Sequence, residues 1–200
     1  MEMFEADNGG RLEFDVRGDG PPLLLVHGSV FADPWGPMLS HANLLSDYQV
    51  VTYRRRGYGE GSNVEFGRTL SDEGADAVTL LDHLNIERAH VVGHSLAADI
   101  VLQAVVDSPH RFTTMTLLEA KLPDGAAEMA LNDVPTLFGS DIPAGSGWIL
   151  DEQAVRLLPH PTLLAVGSDT GPIFRESTST STITITITLD GVGTLTNLCR

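Results

Sequence analysis

The sequence predicts an α/β domain with a mainly parallel sheet flanked by helices. Three observations lead there. Short apolar runs at Leu23–Val26, Gln49–Tyr53, His90–Val92, Met115–Leu118 and Pro161–Val166 read as strands, and runs with little polar alternation are those of strands covered on both faces. Helical periodicity falls between them, which is the alternation of a parallel sheet. Chemically able residues (His27, Arg54–Gly61, Ser95, Glu119 and Asp169) sit just past the ends of those runs, where open α/β sheets place their ligands.

In chain order, Arg11 to Val16 alternates, with Leu12, Phe14 and Val16 on one side; that is a half-buried strand. Gly18 to Pro22 is a turn. His27-Gly28-Ser29-Val30 follows the Leu23–Val26 strand at once, and a loop with Pro34, Trp35, Gly36 and Pro37 leads to a helix predicted over Met38–Leu45. After Tyr53 come Arg54-Arg55-Arg56-Gly57-Tyr58-Gly59-Glu60-Gly61-Ser62. The arginines read as an ion-paired or solvated cluster, and the glycines lack the G-x-G-x-x-G spacing of a nucleotide loop. Ser71 reads as a helix N-cap, with Asp72 and Glu73 in the first turn. The helix, Ala75–Leu84, buries Val78, Leu81 and Leu84 and turns Asp76 and Asp82 away.

The strand His90–Val92 runs into Gly93-His94-Ser95-Leu96-Ala97 and then a helix with apolar Ile100, Val101, Ala104 and Val105, stopped by Pro109. This pentapeptide is close to G-x-S-x-G, a sharp strand-to-helix turn that holds a serine above a sheet. Small residues on either side let the turn close, and a helix N-terminus beside the serine favours a developing anion. The same residues also fit a plain strand, turn and helix with an incidental serine. Met115–Leu118 ends at Glu119, a candidate acid or a simple strand-end carboxylate.

Residues 120–159 are rich in small residues, Asp, Gly and Pro, with helix signals at Ala126–Leu131 and Glu152–Leu158, and read as a short insertion or cap. Ser177–Leu189 is low-complexity; its second half alternates Ile183, Ile185, Ile187 and Leu189 with threonines, predicting a strand from about Ile183 at an edge or facing solvent.

Two hundred residues are read as one domain over 1–200. The net charge of −15, from 12 basic and 27 acidic residues, argues against nucleic acid or an anionic membrane as partner and leaves a small molecule. A single cysteine, Cys199, fits a reducing cytoplasm, and the acidic N-terminal residues lack the apolar stretch of a secretory signal. His83, His90, His110 and His160 show no paired ligand spacing, so no metal or other cofactor is expected. Oligomeric state is left open.

Taken together, Leu23-Leu24-Leu25-Val26-His27-Gly28, Tyr53-Arg54-Arg55-Arg56-Gly57-Tyr58-Gly59, Val91-Val92-Gly93-His94-Ser95-Leu96-Ala97 and Pro161–Asp169 resemble the α/β-hydrolase superfamily, and its small esterase, haloperoxidase and epoxide-hydrolase-like members in particular. The resemblance covers roughly residues 11–119 and 161–198. It implies an α/β-hydrolase-like sheet, Ser95 as nucleophile and Asp169 as the triad acid. It also implies an oxyanion hole from the backbone N–H of Leu96 and that of Ser29 or Val30. His27 would orient the oxyanion loop rather than act as base. His94 leaves the same tight turn as Ser95 and reads as an elbow filler before it reads as a base, since adjacent residues rarely face each other productively. The family's Gly-x-Gly-His is here Gly191-Val192-Gly193-Thr194, and no histidine follows His160. The helix expected between the last two strands is replaced by the Ser/Thr run, and the closing helix is missing. Three readings follow: a serine hydrolase for a small ester, lactone or related acyl compound, impaired by Thr194; a lyase or cyclase on the same fold; or a non-catalytic small-molecule binder.

Overall fold

A computed structural model describes residues 1–6, 9–29, 33–59, 68–120, 152–167 and 186–189. Its strands are β1 (Glu2–Glu5), β2 (Arg11–Arg17), β3 (Pro22–Val26), β4 (Gln49–Arg54), β5 (Ala89–His94), β6 (Phe112–Leu118), β7 (Thr162–Gly167) and β8 (Thr186–Leu189). Its helices are α1 (Gly36–Leu39), α2 (Ala42–Asp47), α3 (Leu70–His83), α4 (Leu96–Asp107) and α5 (Glu152–Arg156). The strands form one sheet in the order β1-β2-β4-β3-β5-β6-β7-β8. From β4 to β8 every pairing is parallel, while β1 and β2 are antiparallel additions at one end. The apolar runs thus occupy the middle of the sheet, as their lack of alternation requires.

Two cores follow from the two faces. Leu24, Val51, Tyr53, Val91, Met115 and Leu117 face α3 and α4 and pack on Leu80, Leu81, Ile100 and Val101. Leu23, Leu25, Val50 and Val92 face the other way, onto Trp35 and the α1–α2 segment. Helices α3 and α4 approach closely at Gly74, where a Cβ would lie 2.9 Å from that of Ala104.

Several sequence expectations change. β1 was not foreseen; of its four residues only Phe4 is buried. The helix expected over Met38–Leu45 is two short ones: Ser40 Oγ donates to Pro37 O at 2.6 Å and His41 is extended at ψ 113°, a local bond that competes with helix continuation. α3 begins earlier, capped by Thr69 rather than Ser71. Thr69 accepts from the Asp72 N–H while the Asp72 carboxylate accepts from the Thr69 N–H, a reciprocal capping box. Asp76 is buried, not turned away. Arg56 grips it with Nε at 2.7 Å and Nη2 at 2.9 Å, and Arg68 adds a third bond at 2.7 Å. β8 pairs in parallel with β7 at the end of the sheet; Ser177–Thr184 lies outside the described residues.

Candidate active site

The turn between β5 and α4 is built by exclusion of side chains. A Cβ on Gly93 would meet the Ala97 carbonyl oxygen at 2.2 Å, so the strand and the helix's first turn come together only because residue 93 has none. Ala97 is fully buried at this contact, which accounts for a small residue two positions past the serine. Between them Ser95 is held at φ 57°, ψ −128°. A side-chain-bearing residue there costs on the order of 1–3 kcal/mol, and such strain persists only where the surroundings impose it. The surroundings do: the Ser95 N–H donates to Leu118 O at 2.8 Å, and the Ser95 carbonyl accepts from the Ala98 N–H at 2.9 Å. Its hydroxyl does not cap the helix, and the residue is half-buried. Leu96 opens α4, so its N–H is one of the helix's unpaired first-turn donors.

The end of β3 lies against this turn. A Cβ on Gly28 would stand 2.5 Å from His94 O and 2.9 Å from Ser95 Cβ. Gly28 therefore lets the segment carrying Ser29 run beside the serine. That segment is latched from behind. His27 is fully buried, and its Nε2 accepts the Arg55 N–H at 2.9 Å. The proton is therefore on Nδ1, which donates to Gly28 O at 2.8 Å. The Arg55 guanidinium donates to the carbonyls of His27 and Gly28 at 2.9 and 3.1 Å and pairs with Glu73 at 3.2 Å. Tyr58 stands edge-on to the His27 ring and under the Arg55 guanidinium. The sequence reads the arginines as an ion-paired or solvated cluster and gives no sign of this latch, because His27 and Arg55 are 28 positions apart in the chain.

His94 turns to the α1 face, where Trp35 meets its ring edge-on at 6.4 Å. Burial holds its imidazole below the usual histidine range, and the Glu119 carboxylate pulls it partly back; near neutral pH the ring is uncharged. Glu119 follows β6 at φ 54°, half-buried, its N–H bound to Ala165 O at 2.9 Å. The ends of β3, β5 and β6 thus bring together Gly28, Ser29, His94, Ser95, Leu96 and Glu119. Val30, Asp169 and Thr194 lie outside the described residues. Among the described residues no three His, Cys, Asp or Glu side chains form a metal-sized cluster, and no helix is long and apolar enough to cross a membrane.

Known proteins agree with this architecture. A family profile described as "alpha/beta hydrolase fold" matches residues 21–147. An uncharacterized hydrolase of Bacillus subtilis, YcgS, is 34% identical over 113 residues, 56% of this chain and 39% of that protein. The 3-oxoadipate enol-lactonase 1 of Acinetobacter baylyi is 34% identical over 118 residues, 58% of this chain and 43% of its own length. The chain therefore spans less than half the length of these curated relatives. Among solved structures, Est816, described as an N-acyl homoserine lactone degrading enzyme, superposes with a TM-score of 0.78 at 18% identity, over 96% of this chain and 93% of that one, a likeness of fold. With the profile spanning more than half of the chain and the elbow at its centre, the protein belongs to the alpha/beta hydrolase fold family.

Proposed function

We propose that the chain is a serine hydrolase of small esters, lactones or related acyl compounds. Ser95 is the nucleophile, and the backbone N–H groups of Leu96 and of Ser29 or Val30 hold the oxyanion. One observation carries the reading: Ser95 sits at a strained φ of 57° at the start of α4 and against Gly28. A serine serving only as a turn residue would be better replaced by glycine. Two preorganised donors at a tetrahedral oxyanion are worth about 3–4 kcal/mol each by mutational loss. The named activities of relatives, an enol-lactonase among them, support an acyl substrate.

In this reading Asp169 is the acid, and the base is the open position. Thr194 stands where the family places histidine, and a threonine hydroxyl does not accept a proton near neutral pH. His27 has both ring nitrogens engaged. His94, uncharged and next to the nucleophile, is the candidate among the described histidines, with Glu119 as its carboxylate. Turnover is therefore slow. Thr194 also favours a second reading, a histidine-free catalyst or a small-molecule binder that uses the same donors. Fluorophosphonate labelling separates them: covalent labelling of Ser95, lost in Ser95→Ala, supports the hydrolase, whereas an unlabelled wild type that turns over no acyl ester supports the second.

A further inference from the structure

The Gly28 carbonyl is engaged twice from its buried side. It accepts from His27 Nδ1 at 2.8 Å and from Arg55 Nη2 at 3.1 Å. A peptide unit is planar and trans, so the C=O of one residue and the N–H of the next point in opposite directions. Holding the Gly28 oxygen against Arg55 therefore turns the Ser29 N–H away from the latch, on the stretch that the absent Gly28 side chain lets run beside Ser95. The same guanidinium fixes the preceding plane, since Arg55 Nε donates to His27 O at 2.9 Å. Two successive carbonyls on one rigid fork leave this segment little freedom to rotate. The fork is itself fixed: Arg55 is 1% exposed, its Nη1 is tied to Glu73 at 3.2 Å, and the Tyr58 ring lies 5.0 Å from its carbon. Arg56, the next residue and also buried, sends Nε and Nη2 to Asp76 instead.

We propose that Arg55 is a positioning residue of the site. It sets the Gly28–Ser29 peptide so that the Ser29 N–H serves as the oxyanion donor beside that of Leu96. The role rests on the hydrolase reading above. Arg55 reaches the chemistry only through the carbonyls of His27 and Gly28, and a donor held in advance at the developing charge costs no reorganisation during the reaction. Lysine cannot replace it: one ammonium keeps the charge opposite Glu73 but does not span two carbonyls. The backbone N–H of residue 55 still meets His27 Nε2 in such a variant, so the substitution removes the fork and spares the histidine.

The test compares Arg55→Lys with Arg56→Lys in the full chain. Both replace a buried arginine and should lose stability. Only Arg55→Lys should also slow fluorophosphonate labelling of the protein that stays folded, with kinact down about five-fold or more, the loss of roughly one hydrogen bond, and KI little changed. A second readout needs no reactive serine. The ¹⁵N order parameter of the Ser29 amide should match rigid backbone, about 0.85, in wild type and Arg56→Lys, and should fall in Arg55→Lys. The role is overturned if Arg55→Lys is labelled at the wild-type rate, if Arg56→Lys slows labelling as much, or if the Ser29 order parameter is the same in wild type and Arg55→Lys. Should Arg55→Lys not fold, Tyr58→Leu, which removes the ring beneath the guanidinium, is read by the same two measurements, with a smaller loss expected in the same direction and no loss overturning the role. A wild type that no fluorophosphonate labels is a failure of the hydrolase reading instead, and the relaxation comparison then decides alone whether Arg55 fixes this peptide.

Discussion

The elbow and the arginine layer behind it hold neighbouring parts of one site by opposite means. At the elbow the serine is fixed by backbone alone: Gly93 and Gly28 remove side chains, Ala97 is small, and carbonyls and N–H groups set the turn. Behind β3 and β4 the fixing is done by large charged side chains, Arg55, Arg56 and Arg68 against Glu73 and Asp76, nearly all buried. The difference has a physical basis. At the elbow two strand ends and a helix start come together too closely for side chains, so the chain there is held without bulk. A position two layers back can be filled, and ion pairs there fix direction as well as distance. Errors should therefore behave differently: a fault at the elbow costs chemistry first, and a fault in the arginine layer costs stability first.

The largest effect tests the elbow. Ser95→Ala should abolish fluorophosphonate labelling and any turnover of a short acyl ester; removing the nucleophile of a well-studied serine protease costs about 10⁶ in kcat. The melting temperature should barely change, since the half-buried side chain makes no capping bond to α4. Next comes the arginine layer. Asp76→Ala strips both Arg56 and Arg68 of a buried partner and should cost about 3–5 kcal/mol, read by urea unfolding, with labelling of the remaining folded protein retained. If labelling falls before stability does, the two regions are not separable in this way. Gly93→Ala should fall between them, at about 1–3 kcal/mol for forced overpacking with a disproportionate loss of labelling, because its Cβ displaces the turn that carries Ser95.

The smallest effect lies at the start of α3, which carries Glu73 and Asp76 into the layer. Thr69→Ala should cost about 1 kcal/mol at neutral pH. Donation from the Thr69 N–H and hydroxyl holds the Asp72 carboxyl below the usual aspartate range. A carboxyl with a lowered folded pKa adds stability above its unfolded value and loses it as pH falls through the folded one. The deficit of Thr69→Ala relative to wild type should therefore shrink as pH drops below the ordinary aspartate pKa of 3.8, as followed by thermal unfolding across an acid series.

The backbone-built region was the more legible in the sequence. Gly93, Ser95 and Ala97 announce their turn within five residues, and the apolar runs of β3, β5 and β6 announce central strands. The side-chain-built region was hidden, since Asp76 looks solvent-facing until Arg56, twenty positions earlier, is brought beside it. β1 was missed because Glu2, Met3 and Glu5 are exposed and only Phe4 marks a buried face. The start of α3 was misplaced because Ser71 and Thr69 are both acceptable caps by type. Only the reciprocal bond with Asp72 decides between them. For the candidate site, the tight turn at Ser95 and the strand end at Gly28 were readable, whereas the latch on His27 depends on a register no local pattern contains.

The sheet order has a consequence for how the protein comes into being. β3 is flanked by β4 and β5, and Leu24 of β3 meets Val91 of β5 far along the chain. The serine's own N–H then waits for Leu118. During synthesis the elbow sequence leaves the ribosome well before the strand that completes its seat, so Ser95 cannot be held in its strained conformation by local residues alone. Pairings of such long separation are made late and slowly. The geometry of the turn at Ser95 is thus a property the chain acquires only when the central sheet closes, and a nascent fragment ending before β6 would carry the motif without its shape.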